Sequence, residues 1–218
     1  LTLNGTTTIS NSVILSQRPT LNAGTVDMTG AGRLHLNDSM TFTNQGQFNL
    51  TAASTDSTPL TSSSVGGTFL NTGTFTKATT TTQNVGSPVT FNNDGQLTLN
   101  ANTGTFRFDG VGGGTGDYTV NTGSTLVFNA NRTLSATSDV NGTGSVLFNA
   151  GTVNVNGTYP IMTTGTSAIT GGSAVFATGA PVVFAAPLAM SGGGLSGTDA
   201  ITTNGLNWAG GTISGSGS

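Results

Sequence analysis

Apolar and polar residues alternate in short runs along this chain. Leu34 and Leu36, Phe48 and Leu50, Leu97 and Leu99, Phe106 and Phe108, and Val153 and Val155 are each separated by one polar or charged residue. An extended strand sends successive side chains to opposite faces, so this period of two predicts short strands with one buried face. Asn-x-Gly separates the runs. Asn and Gly tolerate the left-handed backbone that tight corners require.

The corners recur. Phe42-Thr-Asn44-Gln-Gly46-Gln-Phe48, Phe69-Leu-Asn71-Thr-Gly73-Thr-Phe75 and Phe91-Asn-Asn93-Asp-Gly95-Gln-Leu97 share F-x-N-x-G-x-apolar, and the intervals from Asn22 to Asn44, Asn71 and Asn93 are 22, 27 and 22. A second family joins Leu21-Asn-Ala-Gly-Thr-Val26 to Phe148-Asn-Ala-Gly-Thr-Val153, and Met190-Ser-Gly-Gly-Gly-Leu-Ser-Gly197 aligns with Trp208-Ala-Gly-Gly-Thr-Ile-Ser-Gly215 at a spacing of 18. One such repeat cannot bury its apolar face alone, whereas stacked copies can. The period predicts an all-β parallel β-helix, a β-solenoid of about 22 residues per turn shortening to about 18 and running for roughly ten turns. At about 4.8 Å per stacked strand, its length is on the order of 45 to 50 Å. The chain is expected to be one such segment over 1–218, with loop insertions near 51–67 and 77–88. A sandwich or propeller is the other all-β solution, but it needs longer strands and hairpins.

Composition fits a stack. Gly, Thr, Asn and Ser make up 119 of the 218 residues, and only 6% are charged. Stacking places like residues above one another, so repeated Lys or Glu would form columns of like charge, while Asn, Thr and Ser columns hydrogen-bond along the axis. The eleven Phe are expected to fill the interior. Lacking Glu and nearly lacking Lys, a mainly helical fold loses its surface formers.

Charge also bounds the partners. Arg18, Arg33, Lys77, Arg107 and Arg132 stand singly, which gives nucleic acid no basic footprint. There is no Cys to form a disulfide or thiolate metal site. No apolar run reaches the length of a membrane span; the longest candidate, 180–190, is cut by Pro181 and Pro187. Beginning at Leu1 without a signal segment, the chain reads as a piece of something larger.

Catalysis has few residues to use, and no enzymatic activity, cofactor or metal is expected. Polysaccharide-cleaving β-helices use clustered carboxylates, whereas all eight acids here are widely spaced Asp; Asp109 and Asp117 are the closest two and read as turn residues. His35, between Leu34 and Leu36, is expected to face solvent, without the companions a triad or zinc site needs. Gly112-Gly-Gly-Thr-Gly-Asp117 is similar to a calcium-binding nonapeptide, but its Asp comes one place early and the motif occurs once. Six Asn-x-Ser/Thr sequons match the number expected by chance from this composition. Ice binding would need threonines at one position on every rung, which the spacing of Thr6/Thr8, Thr41/Thr43 and Thr74/Thr76 does not supply.

One pattern concerns assembly. Gly30-Ala-Gly32-Arg-Leu34-His-Leu36-Asn37 and Gly142-Thr-Gly144-Ser-Val146-Leu-Phe148-Asn149 share G-x-G-x-apolar-x-apolar-N, and Gly215-Ser-Gly217-Ser218 followed by Leu1-Thr-Leu3-Asn4 makes a third copy. Either the segment borders further rungs of a longer solenoid, or the 218-residue unit recurs head to tail. Both readings make Leu1, Leu3, Asn4, Trp208, Ile213, Gly215 and Gly217 candidates for end-to-end contact, with other copies or neighbouring segments as partners.

These rungs, that junction and the Trp208-Ala-Gly-Gly-Thr-Ile-Ser-Gly-Ser-Gly run resemble the right-handed β-helical repeats of filamentous-haemagglutinin-like adhesins and autotransporter passenger segments of large bacterial surface proteins. The resemblance implies a right-handed coil, secretion to the bacterial cell surface, and a structural role in an extracellular fibre. Its alternative implication is an adhesin module that binds glycan or a neighbouring surface through the loops at 51–67 and 77–88.

Overall fold

The computed structural model describes residues 1–160 and 165–217. These form β-strands joined by short corners, with no helix. The chain winds as a parallel β-solenoid of about ten turns, roughly 21 residues each. Thr2–Leu3, Thr6–Ile9 and Ser12–Ser16 make the first turn; Thr20–Asn22, Thr25–Gly30 and Arg33–Asn37 make the second; Thr41–Asn44, Gln47–Ser54 and Leu60–Thr61 make the third. Strands pair in parallel with their counterparts one turn on and build three walls; among the described residues the second wall is broken between Val140–Gly142 and Val182–Phe184, where only the Asp139–Thr158 bridge continues it.

Register follows the sequence repeats. Phe42, Phe69 and Phe91 stack in the first wall, Phe48, Phe75 and Leu97 in the second. At the C-terminal end Met190 lies beside Trp208 and Leu195 beside Ile213, the 18-residue spacing seen in sequence. All eleven Phe are buried. Their rings make a continuous column, with centroids 5.2 Å apart for Phe42 and Phe69, 5.1 Å for Phe69 and Phe91, and 5.8 Å for Phe176 and Phe184. Burying one Phe side chain contributes roughly 1.5–3 kcal/mol.

Two further columns fix the corner between the first and second walls. The first is amide. Asn22, Asn44, Asn71 and Asn93 are fully buried, and each of the first three donates from Nδ2 to the Oδ1 of the next at 2.7 Å. Each also donates to a backbone carbonyl of the following turn, those of Gln47, Thr74, Gln96 and Asp117. The ladder stops where Gly114 takes the equivalent place, its backbone against Asn93. The second column is glycine: a Cβ on Gly24, Gly46, Gly73, Gly95 or Gly116 would lie 2.0 to 2.3 Å from the carbonyl oxygen of the preceding corner glycine.

Several expectations are corrected. Residues 77–88 are not a single loop: Lys77, Thr79, Gln83 and Val85 are buried and Gln83–Val85 is a strand of the third wall, so the exposed parts are 80–82 and 87–88. Of 51–67, residues 51–54 extend the second-wall strand Gln47–Ser54 and Leu60 is core, so the excursions are 55–59 and 62–66. The two Leu/Phe-Asn-Ala-Gly-Thr-Val matches occupy different corners. Asn22 ends a first-wall strand and is buried, whereas Asn149 follows the third-wall strand Ser145–Phe148 and is exposed. The same local turn chemistry serves both corners, so the match reports a turn and not a place in the stack.

Candidate functional site

The two ends of the coil carry the side chains that the walls leave uncovered. At the N-terminal face, Val13 and Leu15 stand in line with buried Leu34 and Leu36, so they point along the core. Leu15 is half-buried against the core, while Val13 is 38% exposed and Leu1, on the neighbouring first wall, 56% exposed. At the C-terminal face, Leu206 and Trp208 lie beside buried Leu188 and Met190, and Ile213 beside buried Leu195, yet these three are 40%, 55% and 42% exposed. A mouth of about 260 Å³ opens among Leu188, Leu195, Ile201, Leu206 and Ile213. Both faces are therefore cross-sections of the apolar core, rimmed by strand edges.

The seven sequence-proposed contact residues divide between these faces. Leu1, Leu3 and Asn4 lie at the N-terminal one, with Leu3 packed against the core and Asn4 exposed. Trp208, Ile213, Gly215 and Gly217 lie at the C-terminal one, where Trp208 Nε1 donates to the Gly211 carbonyl at 3.3 Å. The two internal copies of G-x-G-x-apolar-x-apolar-N fall in third-wall strands Arg33–Asn37 and Ser145–Phe148, but Leu1 and Leu3 belong to the first wall. The junction copy is thus not structurally equivalent to the other two.

Sequence reading missed the polar chemistry inside the coil. Lys77 replaces Leu50 and Leu99 in the second-wall column. Its Nζ donates to the Thr79 carbonyl at 2.6 Å and to the Thr103 carbonyl, and burial pushes its pKa down to about 8. Arg132 follows Gly112 in the first wall and uses the space that glycine leaves. Its guanidinium lies 3.9 Å from the Phe108 ring centroid and donates to the Phe91 carbonyl at 2.9 Å. Burial lowers the Arg132 pKa and raises that of Tyr118, while the pair's mutual attraction opposes both shifts. Backbone carbonyls and a ring face stand in for carboxylates.

The candidate acids serve the wall exterior. Asp109 accepts from Asn84 Nδ2 at 2.6 Å, Asn129 Nδ2 at 2.7 Å and Arg107 at 2.8 Å. Thr58 donates to Asn84, Asn149 to Asn129 and Thr170 to Asn149, so a hydrogen-bonded chain climbs the outside with all its donors aimed toward Asp109. Asp117 accepts from the Asp139 amide at 2.9 Å. His35 points outward between Ile14 and Thr61 of the adjacent turns and is partly exposed. Its pKa is lowered by desolvation first, then by Arg33, against an opposing pull from Asp56. Among the described residues, no three His, Cys, Asp or Glu side chains gather where they could hold a metal ion, and no helix is long and apolar enough to cross a membrane. Thr6/Thr8 and Thr74/Thr76 lie in the second wall and Thr41/Thr43 in the first.

No protein-family model matches the chain, and neither the curated proteins nor the solved structures contain a match to it.

Proposed function

We propose that this chain is a structural segment of an extracellular bacterial surface fibre, extended by further solenoid stacked on its ends. The observation that carries this reading is the pair of open core cross-sections. Among the described residues, Val13 at the first rung and Leu206, Trp208 and Ile213 at the last stand exposed although their column neighbours are buried. The resemblance to adhesin and passenger repeats supplies the setting. Electron cryo-microscopy of the purified chain tests it: filaments with an axial repeat on the order of 45 to 50 Å, from about 4.8 Å per rung, are expected, and discrete single coils at high concentration would overturn it.

Adhesion is a second reading, favoured by Val65, 68% exposed on the 62–66 excursion, whose Ser63 and Ser64 hydroxyls bond Asn37 and Asp38. Binding to a glycan or cell surface that disappears when 62–66 is shortened would support it.

A further inference from the structure

The C-terminal edge is a step, and one end of the chain matches it. Its last strand in the second wall is Ile201–Thr203, while Leu206–Ile213 supplies the final strands of the third wall and then the first. The next rung therefore begins on the second wall. Residues 201–205 read Ile-Thr-Thr-Asn-Gly and residues 1–5 read Leu-Thr-Leu-Asn-Gly, with Thr, Asn and Gly in the same places.

Orientation agrees with the match. Ile201 and Thr203 pair with buried Val182 and Phe184, so they face inward. Leu1 and Leu3 face inward too, since Leu3 pairs with buried Asn22. Thr2 and Thr202 both point outward and are exposed. Laying 1–5 on 201–205 sets Thr6–Ile9 on the last third-wall strand and Ser12–Ser16 on the last first-wall strand, and the coil continues with no rung missing.

Gly5 is an independent sign. Its column mates Gly24, Gly46, Gly73, Gly95 and Gly116 are glycine because a backbone carbonyl of the preceding turn leaves no room for a Cβ. A Cβ on Gly5 would meet nothing within 4 Å, and its φ is not positive. Neither crowding nor backbone conformation within the chain calls for glycine there; the backbone of another rung would.

We propose that two copies of this chain join head to tail, turned by one wall, with residues 1–5 of one in parallel register with 201–205 of the other. This rests on the end-to-end reading above. The test uses the absence of Cys. Thr2→Cys combined with Thr202→Cys places the two thiols side by side only between copies, at the separation of neighbouring strands, which a disulfide spans. Mild oxidation is expected to give a ladder of covalent oligomers. The pair Thr2→Cys with Ser214→Cys, which reports stacking of first wall on first wall, is expected to give none. Gly5→Val is expected to weaken association at least tenfold while leaving the melting of the single coil unchanged. A ladder from the Ser214 pair, or association indifferent to Gly5→Val, overturns this register and leaves the fibre reading standing. A parent chain that stays monomeric overturns both.

Discussion

Asn44 donates from Nδ2 to Asn71 Oδ1 at 2.7 Å although 27 residues separate them. The interval exceeds its neighbours by five residues, yet the amides meet as closely as Asn22 meets Asn44 across 22, because the additional chain leaves the stack at 55–59 and 62–66.

Asn71→Ala is therefore expected to destabilise the coil more than loss of one hydrogen bond would. It leaves one Asn44 amide hydrogen without an acceptor, the other keeping the Thr74 carbonyl, and the Asn93 oxygen without its donor. At about 1–3 kcal/mol for each buried orphan, the expected loss is about 2–6 kcal/mol, read from denaturant unfolding.

Corner glycines should differ sharply by position. A Cβ on Gly46 would stand 2.0 Å from the Gly24 carbonyl oxygen, which belongs to backbone and cannot swing aside. Gly46→Ala is expected to cost about 1–3 kcal/mol through overpacking, whereas Gly5→Ala in the isolated coil should leave Tm unchanged. Parallel melting curves of the two variants check this.

Stability should rise with pH through the alkaline range. Lys77 has a folded pKa of about 8 against 10.5 for a free lysine, so between these values the unfolded chain holds more protons and raising the pH favours the fold. Above about 10, free tyrosine ionises while Tyr118 and Tyr159, raised by burial, resist it; stability should then fall. Lys77→Met should flatten the rise between pH 8 and 10, as measured by urea midpoints across pH.

Asp109→Asn should weaken the outer chain of hydrogen bonds. Asn84 and Asn129 each donate to a separate Asp109 oxygen, and an amide there would oppose one of them with a donor. A loss of about 1–3 kcal/mol is expected, visible in the unfolding midpoint. Because the same carboxylate is proposed to have no catalytic part, incubation of the parent chain with acidic polysaccharide should leave the polymer length unchanged.

Much of the architecture was legible because it is local and repeated. Period-two alternation marked the strands, and the Phe and Asn positions of F-x-N-x-G gave the register that the walls adopt. What the sequence hid depends on other turns. Lys77 sits at the head of a Ser/Thr-rich stretch that reads as loop, and only the carbonyls of Thr79 and Thr103 make its burial feasible. Arg132 reads as an isolated surface charge until Gly112, one turn away, is seen to leave it room. The junction motif did not reveal which walls the first and last strands occupy: its internal copies lie in the third wall, whereas Leu1 and Leu3 lie in the first.

The amide ladder ends at Asn93, and this divides the coil along its axis. From Asn22 to Asn93, each rung is tied to the next by a buried side-chain amide as well as by backbone; beyond Gly114 that column continues as Leu134, Val155 and Phe176, and the corner is joined by scattered bonds, from Ser138 to the Gly114 carbonyl and from the Thr178 and Gly179 amides to Asp199. In a solenoid each turn leans only on its neighbours, so opening need not be all-or-none. Fraying should start at the C-terminal rungs and stall at Asn93, with amide exchange slowest between Asn22 and Asn93 and progressively faster toward Ile213.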